Sequence, residues 1–245
     1  MENSQTRPAW ALMKVRELVN RTGFDVTRDN FRHRFVYGLE QHGITTVIDV
    51  GANTGQFGHQ LRTSGYTGRI HSVEPLQSAY AQLEAAATGD PNWTTQRAAV
   101  SDQAGTITMN VSANSVSSSV LPILDRSTDA APQTAYVAAE EVPATTADEI
   151  VSTQRFEPEK TLLKIDVQGY EMSVLGGAAK TLDRFAAIRT EMSLVALYDG
   201  QSLMPEMLEH LGGHGFDLWY VEPGWSEPVT RRLLQLDGVF FRRDA

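Results

Sequence analysis

The chain has 245 residues, an apolar fraction of 41%, no cysteine and a formal net charge of −9. That length suits one large domain or two small ones, and the acid excess argues against a nucleic-acid backbone as partner. The missing cysteines exclude disulfides, cysteine-ligated zinc and thiol catalysis, while the polar start (Met1 to Pro8) and the lack of a run of about 18 apolar residues point to a cytoplasmic protein with no signal peptide and no transmembrane segment.

Ala9 to Asn20 carries Trp10, Met13 and Leu18 at helical spacing, with Gly23 placed to end the helix. A second helix is expected from Asp29 or Asn30, with Phe31, Phe35 and Leu39 recurring every four residues and Gly43 closing it. Residues 1–44 therefore read as a helical preface or cap, and residues 45–245 as the main domain. Thr46 to Val50 is a short strand rich in β-branched residues. The turn Gly51-Ala52-Asn53-Thr54-Gly55 leads into a helix over Gln56–Thr63. Arg69–Val73 is the next strand, closed by Glu74-Pro75, and Gln77–Ala87 the next helix. Trp93–Val100 reads as a third strand with Ser101-Asp102 at its end. Gly105–Val111 alternates polar and apolar residues, as a β-ribbon does.

Composition then shifts. Asn114 to Ser119 holds four serines, and 125–134 is polar with Pro132. Patterned segments flank this stretch, so a mobile lid over 112–134 is preferred to a disordered linker. Val137–Val142 is a weak strand and Thr146–Thr153 a short helix. Leu162–Val167 is a strong buried strand, Gly169–Leu182 a helix, Ala187–Met192 a strand, and Leu203–Leu211 a helix. Phe216–Val221 and Leu233–Phe241 have only a loop between them and must pair antiparallel. Strands alternating with helices imply an α/β fold: a doubly wound, mostly parallel sheet closed by an antiparallel hairpin, a Rossmann-like arrangement.

On such sheets ligands bind beyond the carboxyl ends of the strands. Glu74 stands where a carboxylate can accept from both hydroxyls of a ribose. The first loop is not G-x-G-x-x-G, and no Gly-Lys-Ser/Thr follows it. Asp49 at that strand end would repel a pyrophosphate and suit the cationic end of S-adenosylmethionine (SAM). Asp102 is placed to accept from an adenine amino group. Read singly, Asp49 is equally a turn residue, Glu74 a solvated one, and Asp102 a turn former with Gly105. Together, at three successive strand ends, they favour SAM. The cofactor set on the first loop is Asp49, Gly51, Asn53, Gly55, Gln56 and Phe57. Farther along it takes in Glu74, Pro75, Ser101, Asp102 and Asp166.

Lys164 and Asp166 lie on one face of an otherwise apolar strand and need partners. Asp166 is the first choice of general base and Glu191 the second, with Lys164 beside them in the catalytic set. A structural Lys164–carboxylate pair is the plainer reading. A Mg²⁺ held by Asp166 and Glu191 is an alternative way to position a hydroxyl, although two carboxylates without a signature spacing are weak grounds for a metal. Ser118, Ser119, Tyr198 and His33 are candidate substrate contacts. The remaining histidines read as surface or packing. Asp237, in the middle of the apolar last strand, calls for a nearby cation or backbone partner.

These segments resemble the FkbM family of SAM-dependent methyltransferases. The resemblance rests on Val47-Ile48-Asp49-Val50-Gly51-Ala52-Asn53-Thr54-Gly55-Gln56-Phe57, on Ser72-Val73-Glu74-Pro75, and above all on Leu163-Lys164-Ile165-Asp166-Val167-Gln168-Gly169-Tyr170-Glu171. Val174-Leu175-Gly176-Gly177-Ala178, Glu191-Met192-Ser193-Leu194 with Tyr198, and the tail Leu233–Phe241 extend it, so that it covers roughly residues 30 to 243. It implies a seven-stranded class I fold and O-methylation of a hydroxyl on a sugar of a glycolipid or polysaccharide, or on a secondary metabolite. The rival readings are a SAM-binding but inert regulatory subunit and, farther off, an NAD-dependent oxidoreductase. A homo-oligomer is compatible with the sequence.

Overall fold

Strand β1 (Thr46–Val50) is buried along its whole length and sits at the middle of the fold. The computed structural model describes residues 31–243 together with Lys14 and Val19. Apart from those two, the helix expected over Ala9–Asn20 lies outside the described residues, as does any start of the second helix before Phe31. That helix, α1, spans Phe31–Gln41.

The remaining helices are α2 (Gln56–Thr63), α3 (Gln77–Ala87), α4 (Asp125–Ala130), α5 (Ala147–Gln154), α6 (Glu171–Gly176) and α7 (Met204–Gly213). The strands are β2 (Arg69–Val73), β3 (Trp93–Gln96), β4 (Ala99–Val100), β5 (Gly105–Ser112), β6 (Tyr136–Thr145), β7 (Thr161–Ile165), β8 (Ala187–Ser193), β9 (Phe216–Pro223) and β10 (Gln235–Arg242). The main sheet has seven strands in the order β3-β2-β1-β7-β8-β10-β9. β1, β2, β3, β7 and β8 run parallel, and β10 runs antiparallel to both neighbours. This is the expected α/β sheet with its antiparallel closing hairpin. Among the described residues no helix is long and apolar enough to cross a membrane.

Side chains alternate across each strand. Ile48, Val50, Leu163, Ile165, Ile188 and Phe240 pack on one face against α5, α6 and α7. Val47, Ile70, Leu162, Ala187, Val239 and Phe241 pack on the other against α1, α2 and α3. On that second face the register puts Val47 beside Leu162, Leu162 beside Ala187, and Ala187 beside Phe241. One row nearer the carboxyl edge, the same register aligns Ser72, Asp49, Lys164 and Arg189. One row further Glu191 pairs with Asp237, and Asp166 follows directly on the end of β7. An apolar face thus becomes a charged one over two pleats.

Two elements differ from expectation. The strand expected over Trp93–Val100 breaks at Arg97-Ala98. The chain leaves the main sheet there, and Ala99-Val100 pairs with Ala144-Thr145 in a second sheet of order β4-β6-β5. Leu76, Ala79, Ala99, Met109 and Val142 join that sheet to the body of the protein. The helix expected over Gly169–Leu182 ends at Gly176. A side chain at Gly177 would lie 2.0 Å from the carbonyl oxygen of Ser101, so backbone packs on backbone there.

The serine-rich stretch is folded, with α4 and a 3-10 turn over Pro132–Thr134. Its hydroxyls serve its own chain. Ser112 N donates to Ser118 Oγ at 3.0 Å, and Asn114 Nδ2 donates to Ser117 Oγ at 3.0 Å.

Candidate active site

A cleft of about 270 Å3 opens at the carboxyl edge of β1, β2 and β7. This is near the lower end of small-molecule sites, roughly 300–1,000 Å3. Its floor is the turn after β1. Gly51 has φ +71°, and a Cβ there would stand 1.8 Å from the Asp166 carbonyl oxygen. Only glycine lets the β1 and β7 loops approach so closely.

At one end lies Glu74, 5% exposed. Its Oε2 accepts from Asn53 N and its Oε1 from Leu76 N, both at 2.9 Å. Each oxygen keeps a lone pair for a further donor, such as a ribose hydroxyl. Burial pushes the Glu74 carboxyl up to about 7, against the pull of the Leu76 and Asn53 amides. Beside it Pro75, Leu76, Ala98, Val100, Met109 and Val120 make an apolar slot. A buried carboxylate next to an apolar slot suits a nucleoside: hydroxyls on the one, a flat base in the other.

At the other end, where β7, β8 and β10 contribute, the lining is polar: Lys164, Asp166, Gln168, Arg189 and Asp237, with Phe57 beside Lys164. Lys164 is 6% exposed. Its Nζ lies 3.0 Å from Asp49 Oδ1 and 3.7 Å from Asp166 Oδ2. It donates to the Gly51 carbonyl at 3.0 Å and the Val50 carbonyl at 3.2 Å, and stands 5.6 Å from the centre of the Phe57 ring. Burial pulls the ammonium down, but Asp49 and then Asp166 more than offset it, so Lys164 stays charged with a raised pKa.

Asp49 is fully buried and does not line the cleft. Its Oδ2 accepts from Ser72 Oγ at 3.0 Å, and Ser72 in turn accepts from the Trp93 indole at 3.0 Å. The register places Asp49 between Lys164 and Ser72, so its charge is taken up inside the sheet. The structural pair is realised, with Asp49 as the partner.

Asp166 does face the cleft. Gln168 Nε2 donates to Asp166 Oδ1 and to Glu191 Oε2, each at 3.0 Å. Glu191 lies behind this amide, outside the lining, and also accepts from Gln235 Nε2. Burial, then Asp166, Glu171 and Asp237, drive its pKa well up, with Lys164 opposing. Glu171 accepts from Gly169 N at 3.0 Å and Val167 N at 3.2 Å, which fixes the loop after β7. Burial pushes the Glu171 carboxyl up to about 7. Asp237 and Glu222 clamp Arg189 at 3.1 and 3.0 Å, which accounts for an acid in the middle of an apolar strand.

Gly51, Asn53, Gln56, Phe57, Glu74, Pro75, Lys164, Asp166 and Ser118 of the expected set are brought together at the cleft. Gly55, at φ +89°, faces Leu83 and Trp93 instead. Ser101 and Asp102 leave with β4. Asp102 is exposed and accepts from Ser101 Oγ at 3.0 Å, while Ser101 reaches the lining only through Tyr170, 3.1 Å away. Ser119 is fully buried and donates to the Gln168 carbonyl at 2.7 Å. Tyr198 is 3% exposed and donates to Gln168 Oε1 at 2.8 Å. The His33 side chain lies outside the described residues.

A cation shared by Asp166 and Glu191 would have to displace the Gln168 amide hydrogens that sit between them. Among the described residues no group of three or more potential ligands is arranged for a metal. Gln168 and Arg189 also line the cleft, though neither is in the set expected from the sequence. The signal for Arg189 was a charge inside the apolar run Ala186–Met192, which requires a partner.

Glu74 also gives a pH prediction. At pH 6.5 a carboxyl with a pKa of about 7 is roughly three-quarters protonated, and a ligand that needs it ionised must expel that proton. Nucleoside binding at pH 6.5 should therefore release about three-quarters of a proton, read by calorimetry in buffers of different ionisation heat. The release should vanish in Glu74→Gln; an equal release there contradicts the assignment. For the unliganded fold the sign is the opposite of the usual carboxylate case. The folded form holds the Glu74 and Glu171 protons more tightly than the unfolded chain, with its carboxyls near 4.5. Stability contributed by these two groups is therefore full below about pH 4.5 and falls as pH rises to about 7.

A sequence model described as the methyltransferase FkbM domain matches residues 49–218. Among solved structures, an rRNA methylase from Streptococcus thermophilus is similar at 10% identity and TM-score 0.47, over 89% of this chain and 99% of its own. The magnesium protoporphyrin IX methyltransferase of Synechocystis PCC 6803, solved with bound SAM, is similar at 12% identity and TM-score 0.47, over 98% of this chain and 100% of its own. A Burkholderia thailandensis 1,6-didemethyltoxoflavin-N1-methyltransferase is similar at 14% and 0.44, over 99% and 93%. These likenesses are distant and transfer no residue roles. The search of curated proteins gave no match. The domain match spans well over half of the chain and includes both the β1 turn and the β7 loop that form the cleft, so the chain belongs to the FkbM methyltransferase family.

Proposed function

We propose that this protein is a SAM-dependent O-methyltransferase acting on a hydroxyl of a sugar or a secondary metabolite. The observation that carries the reading is the division of one cleft: a ribose-suited carboxylate and an apolar slot at one end, a polar, acid-bearing end at the other. Glu74 would hold the ribose hydroxyls and Gly51 would let the donor lie against the backbone. Pro75, Leu76, Ala98 and Met109 would enclose the adenine.

SAM, when bound, supplies a methyl group on a cationic sulfur: an acceptor oxygen forms the new C–O bond while the C–S pair returns to sulfur as the thioether. The chain's own work is to aim the acceptor and take its proton. Methyl transfer is largely a matter of alignment, so fixed walls matter most. Asp166 faces the cleft and would accept the hydroxyl proton, which ends on its carboxyl. Glu191 is less well placed to be the base, because it lies behind the Gln168 amide and outside the cleft lining. Lys164 acts as a fixed internal cation that ties the β1 turn to β7.

The test is a screen of extracts from the source organism with methyl-labelled SAM. Label should pass to a product in which a hydroxyl has become a methyl ether. Label carried only on nitrogen or carbon would replace O-methylation with another methyl transfer.

A further inference from the structure

One hub beside the base has no part in the mechanism above. Gln168 stands at φ +56°, a left-handed backbone that a non-glycine residue seldom adopts. Strain of this kind persists where the surroundings hold it. Here its carbonyl accepts from Ser119 Oγ at 2.7 Å, and both ends of its carboxamide are engaged. The two Nε2 hydrogens go to Asp166 Oδ1 and Glu191 Oε2 at 3.0 Å, and Oε1 accepts from Tyr198 Oη at 2.8 Å. The partners fix which way the amide faces: reversed, it would set its oxygen against two carboxylates. The Tyr198 hydroxyl also reaches the Ser117 carbonyl at 3.2 Å, so the serine loop meets the hub twice.

We infer that Gln168 is a positioning residue: its carboxamide ties one oxygen of Asp166, leaves the other toward the acceptor, and keeps Glu191 from displacing it. The inference rests on the reading of Asp166 as the base. It makes the buried hydroxyls of Ser119 and Tyr198 braces for Gln168, where the sequence suggests substrate contacts. Without the amide, Asp166 and Glu191 would meet across the space it leaves, and like charges so placed favour the protonated form.

The experiment compares wild type, Gln168→Leu, Tyr198→Phe and Asp166→Asn. The probe is tritiated-methyl SAM with the extract fraction that wild type methylates. Gln168→Leu should lower kcat about 10- to 100-fold while KM for SAM stays within about twofold. The acid limb of its pH–rate profile should move up by about one pH unit. Tyr198→Phe leaves the amide in place and should shift both in the same direction by about threefold or less.

An acceptor-free measurement runs beside it. In nitrogen-15-labelled wild type, the Gln168 side-chain amide protons should resonate downfield and move on Asp166→Asn. If Gln168→Leu turns over with an unmoved acid limb while Asp166→Asn is dead, the clamp is overturned and the base stands. If Asp166→Asn turns over normally, the base assignment falls and the clamp with it. Should Gln168→Leu not fold, Gln168 amide signals that ignore Asp166→Asn overturn the clamp.

Discussion

Lys164→Met should destabilise the protein by about 3–5 kcal/mol, because it leaves a buried carboxylate with no counter-charge. Methionine keeps the length and much of the apolar stem of the lysine. What goes is the ammonium that meets Asp49 at 3.0 Å and ties two backbone carbonyls of the β1 turn to β7. Asp49 is then left fully buried with Ser72 as its remaining side-chain donor. Denaturant unfolding should show the loss, and for a chain of this length the thermal midpoint should fall by roughly 10 °C. Adding Asp49→Asn should recover part of it, since the double variant no longer buries a charge. A loss below about 1 kcal/mol, or a double variant no better than the single one, would mean that the pair does not hold the sheet rim together.

The second large effect is on turnover. Asp166→Asn keeps the shape of the side chain and removes its ability to take a proton. General-base contributions run at about 10²–10⁴-fold, and a loss in kcat of that size is expected. SAM affinity should stay within about threefold, because the ribose end of the cleft lies on Glu74, not on Asp166. Asp166 lines the cleft with its side chain 39% exposed, so the variant should fold. Turnover within about fivefold of wild type would show that the hydroxyl sheds its proton elsewhere.

How far the sequence revealed this site depends on what each residue's role requires. Glu74 was legible as a strand-end carboxylate: read singly it could equally be solvated, and the structure places it in the cleft lining, 5% exposed. The strands β1 and β7 were legible as unbroken apolar runs around one or two charges. Asp49 was not legible in its true place. Its identity suggested a strand-end carboxylate, but the outcome depends on register: Lys164 and Ser72 are its direct cross-strand neighbours, and no single strand reports its register. Asp102 was misplaced for a related reason. Ala98-Ala99 continued the pattern of β3, while the pairing of Ala99 with Ala144 in β6 drew the chain into another sheet.

Asp237 and Arg189 were half legible. Each is a charge in an apolar strand, which demands a partner, but only the β8–β10 pairing shows that they serve one another. Gln168 belongs to the segment that carries the resemblance, but nothing in the sequence gave it a role of its own. A glutamine before a glycine looks like a loop residue, and its three side-chain partners come from the β7 end, β8 and the turn at Tyr198. The serine loop was legible by composition alone, without the contacts of each hydroxyl. Its hydroxyls suggested substrate contacts: Ser118 does line the cleft, whereas Ser119 is fully buried and donates to the Gln168 carbonyl.

The whole account turns on Glu74 as the anchor of a nucleoside donor. Titration calorimetry of SAM into wild type and Glu74→Ala tests it most directly. Wild type should bind one SAM per chain. Loss of two charge-assisted hydrogen bonds, about 3 kcal/mol together, should weaken the variant about 100-fold. Wild type that folds but takes up no SAM, or a Glu74→Ala variant that binds as tightly as wild type, would contradict the account.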